Sequence, residues 1–158
     1  MNIKLFLVAI LLLAALLYWG LPKTMFVKKL KMNVGLFYAM NIIGIVFGAL
    51  GLIVSFIWPN VVLEKHYFEL ILLPILFVYL YTAMIRKVRG AIEMYDEKQN
   101  LNMTQAAAIT WPISIVAVFF LYAMYREEIL TGLAFFPIFL YFSFAVYSAS
   151  TLYFFKKN

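Results

Sequence analysis

The chain has 158 residues, of which 66% are hydrophobic and 13% charged, and its formal net charge is +6. A soluble domain is roughly half apolar, so a soluble core of this size could not bury so many apolar side chains. With no cysteine and one histidine, disulfides, thiolate metal sites and bis-histidine haem sites within one chain are excluded.

Apolar runs that are long enough to cross about 30 Å of hydrocarbon recur along the sequence. We therefore predict an all-α fold, a polytopic membrane helix bundle in which residues 1–158 form a single transmembrane domain. The five predicted transmembrane helices cover residues 3–21, 34–58, 67–85, 103–125 and 129–155.

The first predicted span begins after Lys4 and ends with Tyr18 and Trp19, aromatic residues that favour the membrane interface. A secretory signal peptide is the alternative interpretation, because a lysine precedes an apolar region that contains Ala14 and Ala15. The segment that follows, residues 23–33, is strongly basic, which is untypical of a translocated mature N-terminus. This segment either lies along the lipid headgroups or is a solvated cytoplasmic connection.

The second predicted span carries a face of small and polar residues. At about 100° per residue, five such residues fall within roughly a quarter of the helix circumference. In lipid, such a groove lets another helix backbone approach closely. We therefore predict a helix-packing face formed by Asn41, Gly44, Gly48, Gly51 and Ser55. The fifth span offers small residues that could receive this face, namely Ala134, Ser143, Ala145, Ser148, Ala149 and Ser150.

Two polar segments separate the remaining spans. A short polar loop is predicted to contain Glu64, His66 and Glu69, and His66 is either a proton-binding site or a solvated interfacial residue. Beyond the third span, residues 86–98 are predicted to continue the helix as an amphipathic extension that Gln99 and Asn100 break.

Asn102 and Gln105 then resemble an N-cap and its reciprocal partner at the start of the fourth span. The fourth and fifth spans are predicted to be antiparallel neighbours, because the link 126–128 is short.

The distribution of basic residues predicts the orientation. If the N-terminus is outside and there are five spans, only Lys4, Lys65 and Arg126 of the thirteen Lys and Arg lie outside. By the positive-inside rule, we predict an integral protein of the cell (inner) membrane with its N-terminus outside and its C-terminus in the cytoplasm.

The sequence contains no zinc-protease, nucleophile-elbow or P-loop motif, and no acidic residue falls in the middle of a predicted span. We therefore predict no catalytic, cofactor-binding or metal-binding residue and no cofactor. The most polar mid-span residues are predicted to form interhelical hydrogen bonds: Asn41, Thr82, Thr110, Ser114 and Ser143.

The predicted cytoplasmic face is the remaining candidate for chemistry. Its basic clusters could hold the headgroup of an anionic phospholipid or a polyprenyl phosphate, and Glu93, Asp96 and Glu97 could bind Mg²⁺ or belong to an ordinary amphipathic helix end. The possible headgroup contacts are Lys28, Lys29, Lys31, Arg86, Lys87 and Arg89.

The absence of mid-membrane charge favours a non-catalytic subunit or scaffold of a membrane complex that contacts anionic lipids. Its expected partners are membrane lipids and either further copies of the chain or other membrane proteins, with no nucleic acid. A lipid-headgroup-binding protein or enzyme is one alternative. A small oligomeric channel or carrier for a neutral solute is another.

Overall fold

The structure is a computed structural model. It describes residues 3–20, 33–65, 67–94 and 97–157. Within these ranges, it describes side chains except at residues 3–8, 10–11, 14, 61–63, 86–94 and 97–100. His66 and the basic segment 21–32 lie outside the described residues.

The described chain is helical except for short links, which confirms the predicted all-α helix bundle. Four long helices follow α1, and a short helix separates the first two of them. In chain order, the helices are α1 (Ile3–Gly20), α2 (Val34–Ile57), α3 (Pro59–Glu64), α4 (Tyr67–Met94), α5 (Glu97–Arg126) and α6 (Gly132–Lys157).

Within the described residues, four segments are long and apolar enough to cross a membrane. By length and composition, they are Val34–Ile57, Tyr67–Ile85, Leu101–Arg126 and Gly132–Lys157. The first predicted span coincides with α1, a helix of 18 residues. A total of five membrane crossings remains a prediction.

The predicted helix break and N-cap before the fourth span are wrong, although the span itself begins within two residues of its predicted start. Helix α5 begins at Glu97, so Gln99 and Asn100 are helical rather than a break between helices. Asn102 lies inside this helix with 1% of its surface exposed, and it is not an N-cap. The capping pattern is a local preference, and packing of Asn102 into the bundle outweighs it.

Glu69 also departs from its predicted position. It lies in the first turn of α4 rather than in a polar loop, and only 7% of its surface is exposed. The segment after Trp58 is likewise more ordered than predicted, because α3 begins directly at Pro59. Proline suits the first position of a helix, where its missing N–H has no helical partner to lose.

The link between α5 and α6 folds as a Schellman turn. The N–H of Ile129 donates to the carbonyl of Met124 over 3.0 Å, and that of Glu128 donates to the carbonyl of Tyr125 over 3.1 Å. Glu128 has a φ of 59°, in the left-handed region. This tight closure makes α5 and α6 antiparallel neighbours.

Helix α6 is the central element of the bundle. Helices α2 and α5 pack along it most extensively, and α2 also packs against α4. At one end, Phe37 and Ile85 are buried together with Met103 and Phe155 against them. We call this the basic end, because α6 finishes here with Lys156 and Lys157, and the basic segments 21–32 and 86–98 are attached here.

Candidate functional site

The five residues of the predicted packing face in α2 are all buried. A Cβ atom placed on Gly48 would lie 2.9 Å from the Cβ of Ala145 and 3.0 Å from the carbonyl oxygen of Tyr141. A Cβ on Gly44 would overlap the side chain of Ser148. Since real Cβ atoms do not approach other heavy atoms so closely, the backbones of α2 and α6 touch because α2 has glycine there.

The third glycine of this face lies against an aromatic ring. A Cβ on Gly51 would overlap the ring of Tyr141, which is fully buried. The phenol of Tyr141 donates a 2.6 Å hydrogen bond to the backbone carbonyl of Phe68 in α4. The glycine face is therefore occupied by α6 of the same chain, so a further copy or another protein would meet a different surface.

The mid-span polar residues bond mainly within their own helices. Asn41 donates to the carbonyl of Phe37 over 2.8 Å, and Thr110 donates to that of Ala106 over 2.7 Å. Among the five mid-span polar residues, one hydrogen bond between oxygen atoms joins two helices. It links the hydroxyls of Ser114 and Ser143, which are 3.4 Å apart. The prediction of interhelical bonds is wrong for Asn41 and Thr110, because a carbonyl four residues earlier is the nearest acceptor.

A cavity of about 510 Å³ opens between the helices near the basic end. Five helices line it: α1, α2, α4, α5 and α6. Its apolar lining includes Phe37, Met40 and Met103. Uncharged polar side chains complete the lining, and these are Tyr18, Asn41, Tyr79, Thr82, Tyr147, Ser148 and Thr151.

The cavity lies inside the membrane-spanning part of the bundle, close to one surface. Thr151 precedes Lys156 by five residues, and Asn41 follows the start of α2 by seven. At 1.5 Å per residue, these polar groups lie about 7–10 Å in from the helix ends. A molecule in the cavity could therefore contact polar side chains in the bundle while remaining near the headgroup layer.

The described residues hold no group of three His, Cys, Asp or Glu side chains that could bind a metal ion. The buried carboxyl group, Glu69, is nine residues before Val78, the first residue of α4 that lines the cavity, which corresponds to about 14 Å along the helix. It therefore lies far from the cavity, towards the opposite end of the bundle. The described lining residues of the cavity offer hydrogen bonds and apolar contacts, and none of them belongs to a charged acid–base pair.

Comparison of the chain with protein-family models, curated proteins and solved structures finds no match.

A second hollow of about 610 Å³ lies between α2, α5 and α6. Its lining is apolar and includes Leu52, Val116, Ala117 and Phe142. It suits a hydrocarbon chain but offers no hydrogen bond to a headgroup. The two hollows therefore differ in chemistry, and of these two the cavity at the basic end is the one that combines polar and apolar groups.

The predicted headgroup contacts lie outside this description and remain predictions. Lys28, Lys29 and Lys31 belong to the segment 21–32. Helix α4 includes Arg86, Lys87 and Arg89, but their side chains lie outside the described part of the structure. The same holds for the side chains of the acidic group, Glu93, Asp96 and Glu97.

The cavity was not predicted, although the sequence contains one indication of it. Tyrosine favours the membrane interface, yet Tyr79 and Tyr147 both lie well inside long apolar helices. In the structure, the two residues line the cavity together with Thr82. Tyrosines far from helix ends, combined with threonine on a neighbouring turn, are typical of a polar interior surface.

Proposed function

We propose that this chain is a non-catalytic integral membrane protein that binds an amphipathic lipid, with the lipid headgroup region in the cavity at the basic end. The cavity, with its uncharged polar lining inside an otherwise apolar bundle, is the observation that carries this proposal. We favour lipid-headgroup binding over a scaffold role, because the glycine face of α2 is already covered by α6 of the same chain.

Two physical arguments support a ligand of this kind. Polar groups within a membrane-spanning bundle are costly unless they are hydrogen-bonded, and they tend to mark functional sites. A volume of about 510 Å³ falls within the usual range of small-molecule pockets. The tail of a bound lipid would continue along the apolar side chains, of which Phe37, Met40 and Met103 are examples.

Anionic lipids are the expected neighbours of this site. The basic residues around the predicted cytoplasmic face, from Lys28 to Lys31 and from Arg86 to Arg89, would attract their headgroups. These contacts would lie at the membrane surface rather than in the cavity, whose described lining residues are uncharged.

The experiment is native mass spectrometry of the protein purified in a mild detergent. Ala83 lines the cavity, and Ala83→Phe would fill part of it. Ala117 lines the apolar hollow, so Ala117→Phe is a matched control with the same added volume. We expect a bound lipid on the wild type and on Ala117→Phe, and its loss from Ala83→Phe at a similar melting temperature.

A wild-type protein without bound lipid, which also binds none from added membrane extract, would contradict the proposal. Retention of the lipid by Ala83→Phe would contradict it as well, because the lipid would then lie elsewhere.

A subunit of a membrane complex, including a homo-oligomer, is the second candidate, and Trp111 favours it. This side chain is 70% exposed and lies ten residues after Leu101, at which the span of α5 begins. That places it about 15 Å along the span, whereas tryptophan prefers the interface. A partner helix over α5 would cover Trp111.

The test is the molecular mass in mild detergent, measured by light scattering after size-exclusion chromatography. We expect Trp111→Leu to lower the mass of the assembly, while Trp58→Leu, at the end of α2, leaves it unchanged. A wild-type protein that is monomeric and carries no other protein would contradict this second candidate.

A further inference from the structure

Three polar residues of the cavity each use a hydrogen-bond donor within the protein. Thr82 donates its hydroxyl to the carbonyl of Val78 over 2.9 Å, and Thr151 donates to that of Tyr147 over 2.8 Å. Asn41 places one amide N–H on the carbonyl of Phe37. A threonine hydroxyl has one donor and two acceptor lone pairs, so both threonine oxygens keep the capacity to accept.

The other polar groups of the lining supply donors as well as acceptors. The hydroxyls of Tyr79 and Ser148 can each donate as well as accept a hydrogen bond. Asn41 keeps its carbonyl oxygen and a single N–H. Together with Thr82 and Thr151, the lining therefore presents at least three acceptor oxygens to a ligand.

The charge of the cavity also determines which kind of headgroup it favours. None of its described lining residues carries a positive charge. A phosphate brought among these described residues would lose water, face acceptor oxygens and gain no cationic partner from them. An uncharged group that donates a hydrogen bond would find acceptors in place and would not carry the desolvation cost of a charge.

From these observations, we propose that the cavity binds the hydroxyl group of a neutral lipid alcohol, and that it discriminates against a phosphorylated headgroup. This inference rests on the proposed function and specifies its ligand class. Diacylglycerols and long-chain isoprenoid alcohols share this chemistry, because each joins a hydroxyl donor to hydrocarbon. Anionic headgroups would remain at the membrane surface, where the basic segments attach.

The experiment measures binding to the delipidated full-length protein by native mass spectrometry. The probes are dioleoylglycerol, its methyl ether at the free hydroxyl, dioleoyl phosphatidic acid and a long-chain isoprenoid alcohol. The methyl ether keeps the apolar body of dioleoylglycerol but removes the donor. We expect dioleoylglycerol to bind at least fivefold more tightly than the ether or the phosphatidic acid, since one net hydrogen bond corresponds to roughly that factor. Comparison of the affinities for dioleoylglycerol and for the isoprenoid alcohol shows which of the two kinds of lipid alcohol the cavity prefers.

A threonine pair provides the matched variants. Thr82→Val removes an acceptor from the cavity with little change of shape, and we expect it to weaken alcohol binding roughly fivefold without changing ether binding. Thr110→Val removes the same kind of hydroxyl, bonded to Ala106 in α5 and outside the cavity lining. The affinity of Thr110→Val for dioleoylglycerol should equal that of the wild type.

The outcomes separate this inference from the proposal beneath it. If all lipids bind equally and Ala83→Phe abolishes their binding, the cavity binds lipid but the alcohol class is wrong. Tighter binding of phosphatidic acid than of dioleoylglycerol would overturn the alcohol class as well. If Ala83→Phe alters none of the affinities, both the proposed function and this inference fail.

Discussion

The phenol of Tyr141 donates a 2.6 Å hydrogen bond to the backbone carbonyl of Phe68, 73 residues earlier in the chain. The two aromatic rings also meet edge to face, with centroids 5.7 Å apart. Because Tyr141 lies against Gly51 as well, this residue joins α6 to both α2 and α4. The contact lies beside the first turn of α4, on the side of the cavity away from the basic end, and it fixes the three helices together there.

The loss of this hydrogen bond should lower stability. Tyr141→Phe keeps the ring contacts but removes the hydroxyl, so we expect a destabilisation of about 1 kcal/mol, the usual size for such bonds in membrane bundles. Thermal unfolding in detergent, followed by circular dichroism, measures it. Tyr122→Phe, at an exposed position of α5, is the control and should melt like the wild type. Equal melting of Tyr141→Phe and wild type would contradict the role of this bond.

A second prediction concerns the close approach of α2 and α6. Gly48→Ile should separate the two backbones and destabilise the protein by about 1–3 kcal/mol, because overpacking a tight interior has a cost of that order. Gly35→Ile is the matched control, since the nearest atom to a Cβ there is the side-chain oxygen of Asn33, at 3.6 Å. If the two variants melt at the same temperature, the contact between α2 and α6 is not as close as the structure has it.

The turn after α5 allows a stabilising substitution. Glu128 has a left-handed backbone, which is unfavourable for residues with a Cβ and is usually occupied by glycine at this point of a Schellman turn. We expect Glu128→Gly to raise stability by about 1 kcal/mol. Glu127→Gly lacks this advantage and should be neutral or slightly destabilising. A lower melting temperature for Glu128→Gly than for Glu127→Gly would refute the interpretation.

Orientation in the membrane can be tested because the chain has no native cysteine. Single cysteines at Lys65 and Glu127 should react with an impermeant thiol reagent added to intact cells, whereas cysteines at Lys28 and Lys98 should react only after lysis. This outcome follows from the placement of basic residues on the cytoplasmic side. Labelling at Lys98 in intact cells would reverse the predicted orientation.

The sequence predicted the helices more fully than the site. Span lengths follow from apolar composition, which is why the predicted ends of α2 agree with the structure within one residue. The start of α5 could not be predicted from Asn102, because its burial depends on neighbours from other helices. The cavity depends on the same kind of information. Thr82 and Thr151 are 69 residues apart, and only the packing of α4 against α6 and α2 brings them to one surface.

The most direct test of the central claim is photocrosslinking of a lipid alcohol in membranes. A diacylglycerol with a diazirine close to its hydroxyl would be added to vesicles that contain the protein, and the modified residues would be mapped by mass spectrometry. We predict crosslinks at cavity residues, with Met40, Thr82 and Met103 as markers, that excess dioleoylglycerol suppresses. Crosslinks confined to outward residues, of which Phe119 is an example, or insensitive to the competitor would contradict binding in the cavity.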